Sequence, residues 1–108
     1  MNFELRKQDL QKLEKQAEVV AATLGAMANA NRLMILCHLA SGEKTVSELV
    51  EALSLAQSAV SQHLTIMRSL KLVRTRRDGK KIHYSIASEE VNAIMRTLYS
   101  VYCGAKPD

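Results

Sequence analysis

Three groups of side chains in this chain of 108 residues are of kinds that do chemistry. The first lies in "LSLAQSAVSQHLTIMRSL", Leu53 to Leu70. A short polar turn there runs into a segment that is apolar on one side and carries Gln57, Ser58, Ser61 and Gln62 on the other. A helix facing only water tends to carry Lys and Glu; this one offers uncharged donors and acceptors. Such groups match base edges in the major groove of DNA, where Gln can pair bidentately with adenine and small residues permit close approach. Arg68 follows as a phosphate-contact candidate, and His63 flanks the apolar side, near phosphate or hydrogen-bonded rather than reading bases. Gln57 and Ser58 also suit the capping of a first helical turn, so both roles stand for them at this point.

The second group is basic. Arg74, Arg76, Arg77, Lys80 and Lys81 fall within ten residues that contain one acid, Asp78. That window accounts for the whole net charge of +4, and the rest of the chain is neutral. A cluster placed so locally suits an anionic partner such as nucleic acid, through phosphate contacts that position a protein and make binding salt-dependent. A solubilising hairpin is the alternative for the same charges.

The third group is the pair Cys37 and Cys103. Neither belongs to a C-x-x-C motif. Cys37 borders Leu33 and Leu36 and could simply be a core residue. His38 is its neighbour, but adjacent residues on a helix point about 100° apart, and no acid stands beside them to orient a catalytic dyad. The chain is not expected to be an enzyme. His38 and His83 read as ordinary, partly exposed histidines.

These groups need elements to hold them. Hydrophobic residues make up 47% of the chain, with one Pro, four Gly and no Trp, which favours a mostly helical fold with an aliphatic core. Apolar residues at Leu10, Leu13, Ala17, Val20, Ala21 and Leu24 predict a first amphipathic helix from about Lys7 to Leu24. Asn29 or Asn31 can cap a second, with Leu33, Leu36, Cys37 and Ala40 on its apolar face and Gly42 ending it. Thr45 or Ser47 can start a third, carrying Val46, Leu49, Val50 and Leu53. "SLA", Ser54 to Ala56, turns into a fourth that buries Val60, Leu64, Met67 and either Leu70 or the stem of Lys71. The period then changes. "LVRTRR", a turn at Asp78-Gly79 and "KKIHYSI" predict a hairpin, with Ile82, Tyr84 and Ile86 facing inward. Ser88 can cap a last helix with the stripe Val91, Ile94, Met95, Leu98, Val101 and Tyr102.

The order is helix, helix, helix, helix, strand, strand, helix. A helix-turn-helix followed at once by a basic hairpin is a winged helix-turn-helix: mostly α with a small β-hairpin, one domain over residues 1–108. The charged N-terminus lacks the apolar segment of a signal peptide and no apolar run approaches about 20 residues. The expected setting is cytoplasmic, without a membrane partner and with reduced cysteines.

"LGAMANANRLMILCHL" and "TVSELVEALSLAQSAVSQHLTIMRSLKLVRTRRDGKKIHYSI" resemble the second-helix signature and the reading head and wing of the ArsR/SmtB family of bacterial repressors. The resemblance runs over nearly the whole chain. It implies a homodimer built from the first and last helices, binding an inverted-repeat operator in double-stranded DNA until an inducer releases it. Many members sense metals, but the thiolate site of that group falls where this chain has Lys44, Thr45, Val46 and Ser47. The Asp and His site of the last helix falls on "VNAIMRTLYSVYC". Neither provides a zinc ligand set, so no metal and no cofactor is expected. One Cys on the second helix and one near the end of the last resembles instead the dithiol branch containing BigR, SqrR and HlyU. That likeness implies switching of DNA binding by persulfide, polysulfide or oxidant at Cys37 and Cys103. Such chemistry calls for one accessible cysteine of lowered pKa and a second within reach. The branch also implies an alternative role, an antirepressor or architectural protein that displaces another DNA-binding protein.

Overall fold

The computed structural model describes residues 4–104. The elements run α1 (Lys7–Met27), α2 (Ala30–Ala40), β1 (Lys44–Thr45), α3 (Val46–Leu53), α4 (Gln57–Ser69), β2 (Val73–Asp78), β3 (Lys81–Ile86) and α5 (Glu89–Cys103). The strands form one antiparallel sheet in the order β1-β3-β2. This is the expected winged helix-turn-helix with one addition: β1, two residues long, pairs Lys44 with Tyr84 and Thr45 with His83. Two residues show no alternation that a sequence pattern could register.

Local chemistry sets most boundaries. Asn29 accepts the Arg32 amide at 3.0 Å and so caps α2, while Arg32 Nε donates to the Ala26 carbonyl at 2.7 Å, tying α1 to α2 across the turn. Thr45 and Glu48 form a reciprocal capping box at the start of α3, each side chain engaging the other's backbone amide. Ser54 ends α3 in the left-handed region (φ 55°), which makes the tight turn into α4. Ser88 caps α5 through the Val91 amide.

The core lies between α2, α3, α4, the root of the wing and the first half of α5. Ile35, Leu36, Leu39, Leu49, Val60, Leu64, Met67, Leu72, Val73, Ile86, Val91 and Met95 are buried there. Four expectations are corrected. On α2 the buried face is Ile35, Leu36 and Leu39, so Cys37 and Ala40 are turned out of the core. After α4 the chain buries Leu72 and Val73, whereas Leu70 and Lys71 stay exposed; Lys71 adopts a positive φ of 62° that reverses the chain there. In the wing Asp78 pairs with Lys81, so the two-residue turn is Gly79-Lys80, one position later than expected. Gly79 takes φ 63°, a value that favours Gly. Ile82, near the tip, is exposed because the wing projects beyond the core it would pack on.

Two apolar surfaces remain open. Along α1, Leu10, Leu13, Val20 and Leu24 are exposed. The last turns of α5 leave Val101 67% and Tyr102 82% exposed. The Cα radius of gyration is 15.6 Å, against about 13 Å for a compact domain of 100 residues, because α1 extends away from the core.

Candidate nucleic-acid interface and dithiol groove

Helix α4 is fastened by Val60, Leu64 and Met67, which lie on one side and are fully buried. That anchoring turns the opposite side outward. Gln57, Ser58 and Gln62 are exposed and Ser61 is half-buried. Ala56 is the N-cap and supplies no side-chain acceptor. Neither Gln57 nor Ser58 therefore acts as the helix cap, and the first amides of α4 keep their capacity for an anion. Thr65, one turn beyond Ser61, stands on the same outward side but donates its hydroxyl to the Ser61 carbonyl at 2.9 Å. Its i+4 spacing from Ser61 could have marked it in the sequence. Arg68 is exposed in the last turn. His63 is half-buried, with Nδ1 turned inward and without a hydrogen-bond partner, which suits a flanking residue and not a base reader.

The wing follows α4 directly. Registered pairs place Arg74, Arg76 and Asp78 on one face of the hairpin with Ser85, His83 and Lys81. Arg77 lies on the other face opposite Ile82, and Lys80 sits in the turn. All five cations are exposed. They are not equivalent. Arg76 donates from Nε and a terminal nitrogen to the Glu43 carboxylate, at 3.0 Å and 2.9 Å. These bonds, helped by the charges of Arg76, His83 and Arg74, hold the Glu43 carboxyl below its ordinary value. The same bonds push Arg76 up. Arg74 Nε reaches Ser85 Oγ at 3.5 Å. Glu43, in the loop between α2 and β1, gave no signal in the sequence, because its partner lies 33 positions away.

Cys37 and Cys103 are free, and both line a groove between α2 and α5. Leu33, Cys37 and Ala40 recur at helical spacing on the α2 wall, and Met95, Tyr99 and Cys103 are among the residues of the α5 wall. The thiol of Cys37 is pushed up, first by burial against the groove and then by the charge of Cys103. Of the pair, Cys37 is therefore not the cysteine of lowered pKa that the chemistry calls for. Among the described residues, no three His, Cys, Asp or Glu side chains gather into a group able to hold a metal ion. No single described helix is long and apolar enough to cross a membrane.

The family model for the bacterial regulatory protein, arsR family, matches residues 29–75, which run from the cap of α2 into the wing. The transcriptional activator HlyU of Vibrio cholerae is 43% identical over 97 residues, covering 90% of each chain. Its reduced form superposes with a TM-score of 0.80, covering 86% of this chain and 98% of that one. The transcriptional repressor BigR from Xylella fastidiosa superposes with a TM-score of 0.79 at 33% identity, covering 86% of this chain and 95% of its own. A homodimeric winged helix-turn-helix DNA-binding domain from Mycobacterium bovis superposes at 0.75 with 30% identity, covering 94% of this chain and 89% of its own.

Proposed function

This chain belongs to the arsR family of bacterial regulatory proteins, DNA-binding transcriptional regulators, and on that premise we propose how it reads its operator and what releases it. It acts as a homodimer through α1 and the end of α5. The open Leu10, Leu13, Val20 and Leu24 on one helix and Val101 on the other are apolar surface that this chain alone leaves wet. The Mycobacterium bovis neighbour is a homodimer of the same fold, which supports the assignment. A two-fold dimer presents two copies of α4 to an inverted repeat, with half-sites about 34 Å apart or a multiple of that.

In each half-site Gln57, Ser58, Ser61 and Gln62 face the major groove, while Arg68, Arg74, Arg77, Lys80 and Lys81 neutralise phosphates. Arg76 joins them only by leaving Glu43. The observation that carries this assignment is the outward, uncharged polar front of α4 immediately beside the cationic wing.

Release follows from the dithiol groove. Two thiols far apart in the chain line one groove, and the charge of one raises the pKa of the other. A persulfide RSSH supplies the oxidant. One cysteine thiolate attacks its terminal sulfur, giving a protein persulfide and the thiol RSH. The second thiolate attacks the cysteine sulfur of that persulfide, giving the disulfide and hydrogen sulfide. Two thiols are oxidised, and the sulfane sulfur is reduced to sulfide. The raised pKa of Cys37 lowers its thiolate fraction, which assigns it the later attack; Cys103, at the open end of α5, suits the first. The bridge ties α2, which packs on α3 and α4, to α5 at the dimer seam. A change in the spacing of the two reading helices weakens binding at both half-sites together.

The test is operator affinity and intact mass before and after an organic persulfide. Cys37→Ser should bind DNA when reduced, stay bound after treatment and accumulate one added sulfur on Cys103. Cys103→Ser should stay bound and unmodified. Full release by either single variant means that the bridge is not the switch.

Repression by occupying a promoter is the reading the BigR neighbour supports. HlyU is a transcriptional activator, which favours a second reading in which the dimer displaces another DNA-binding protein. A footprint relative to the transcription start separates the two.

A further inference from the structure

The wing carries one titratable side chain that operator reading leaves unused. Strand β3 is the middle of the sheet, and its His83 pairs with Thr45 of β1 on one side and with Arg76 of β2 on the other. Residues paired in this way share a face of the sheet. To reach Glu43, in the loop before β1, the Arg76 side chain therefore passes over β3 beside His83. His83 itself is half-buried.

Charges meet it from each neighbouring element. Glu43 precedes β1, and Glu48 stands in the first turn of α3, whose start lines a groove together with Lys80, Lys81 and His83. Arg74 and Arg76 lie on the same face of β2, while Asp78 and Lys81 pair with each other nearer the tip. Lys44 pairs with Tyr84 and so belongs to the other face. The Glu48 carboxyl is held below its ordinary value first by its hydrogen bonds with Thr45 and then by the charges of Lys44 and His83. That of Glu43 is lowered first by its bond to Arg76, with the charge of His83 acting in the same sense.

Histidine is the side chain whose charge ordinarily changes between about pH 5 and 8. While His83 is neutral, Arg76 and Glu43 cancel each other. A proton on His83 attracts the carboxylate, repels the guanidinium and leaves the three groups with a net charge of one. The pair is solvent-exposed and hence weak, so one added charge suffices to open it.

We propose that His83 is a proton-operated release for Arg76, so that the wing grips DNA more tightly as the medium acidifies. This rests on the wing's assignment to phosphate. Phosphate favours the protonated form, so each protomer takes up a proton on binding. The added affinity is fully present at low pH and is lost as pH rises through the histidine range.

The experiment is fluorescence anisotropy of a labelled duplex lacking the operator, with reduced, full-length protein, from about pH 6 to about pH 8. A neighbouring opposite charge moves a titration by about 1–3 pH units. The low end is worth about tenfold per protomer and about 100-fold per dimer over the whole titration, so wild-type affinity should fall at least about tenfold across this interval. The salt slope should be steeper at the acidic end by about 1.8, one phosphate of about 0.9 for each protomer. His83→Gln should remove the pH dependence and bind as wild type does at the alkaline end. His83→Lys, permanently charged, should also be independent of pH but bind as wild type does at the acidic end, and it serves if His83→Gln does not fold. A flat wild-type profile, equal salt slopes at the two ends, or a pH dependence that survives in either variant overturns the release and leaves DNA binding standing. No binding at any pH overturns the DNA reading and the release together.

Discussion

The pair between Glu43 and Arg76 makes the sharpest test of how the wing holds DNA. Of the wing's five cations, one is already occupied by a carboxylate, with Arg76 Nε and its terminal nitrogen bonded at 3.0 Å and 2.9 Å. A phosphate must therefore compete with Glu43 for that guanidinium. Glu43→Gln keeps the side chain's shape and removes its charge. Because the pair is solvent-exposed, the fold should be little affected, and the thermal midpoint is the control. The consequence appears in the salt dependence. Each phosphate neutralised contributes about −0.9 to the slope of log K against log salt, so two newly freed Arg76 side chains in a dimer should steepen it by about 1.8. Between 50 and 200 mM salt that steepening amounts to an additional loss of about 12-fold in affinity, with a matching gain toward low salt. The assay is fluorescence anisotropy of a labelled duplex lacking the operator, titrated at several KCl concentrations. An unchanged slope would mean that Arg76 reaches phosphate in both proteins or in neither, so that Glu43 does not withhold it. A flatter slope would mean that Glu43 positions Arg76 for DNA instead of withholding it. Either result refutes the competition.

The other expectations are simpler. Gln57→Ala or Gln62→Ala should relax preference at particular base pairs, by about 1–3 kcal/mol for each bidentate pairing removed, with no change in salt slope. Arg77→Ala should weaken binding to all sequences alike and flatten the slope by about 1.8, one phosphate contact of about 0.9 being lost in each protomer. If both classes lower specific and non-specific affinity in equal proportion, reading helix and wing have been misassigned. Leu13→Glu, placing a charge within the open stripe of α1, should convert dimer to monomer by sedimentation and abolish operator binding while helicity persists. Alkylation of Cys37 should be slower than that of an unstructured cysteine at neutral pH. A raised pKa leaves less thiolate, and the rate should climb into a more alkaline range. A rate profile matching a free thiol would mean that burial does not assign Cys37 to the second step.

Local regularities carried most of the fold into view. The 3–4 spacing of apolar residues on the helices, the Asn, Thr and Ser caps, and the change to alternation in the wing are properties of neighbours along the chain, and neighbours are what a sequence displays. The uncharged front of α4 was legible for the same reason, since Gln57, Ser58, Ser61 and Gln62 sit within two turns of the anchors Val60 and Leu64 that turn them outward.

What escaped depended on partners distant in the chain. Which face of α2 meets the core is decided by α3, α4 and α5, so Ile35 and Leu39 went in and Cys37 came out. The turn at Gly79-Lys80 follows from pairing Val73 with Ile86, which fixes the register down the hairpin to Asp78 and Lys81. Ile82 has the alternation of a buried residue but no core beneath it. Glu43 meets Arg76 only because β1 and the loop before it lie along the sheet. Types, periods and caps were therefore determined by the sequence alone. The occupied guanidinium, the outward Cys37 and the groove it shares with Cys103 were decided only by tertiary structure, because contact energies act through space between residues whose spacing along the chain carries no periodic signal.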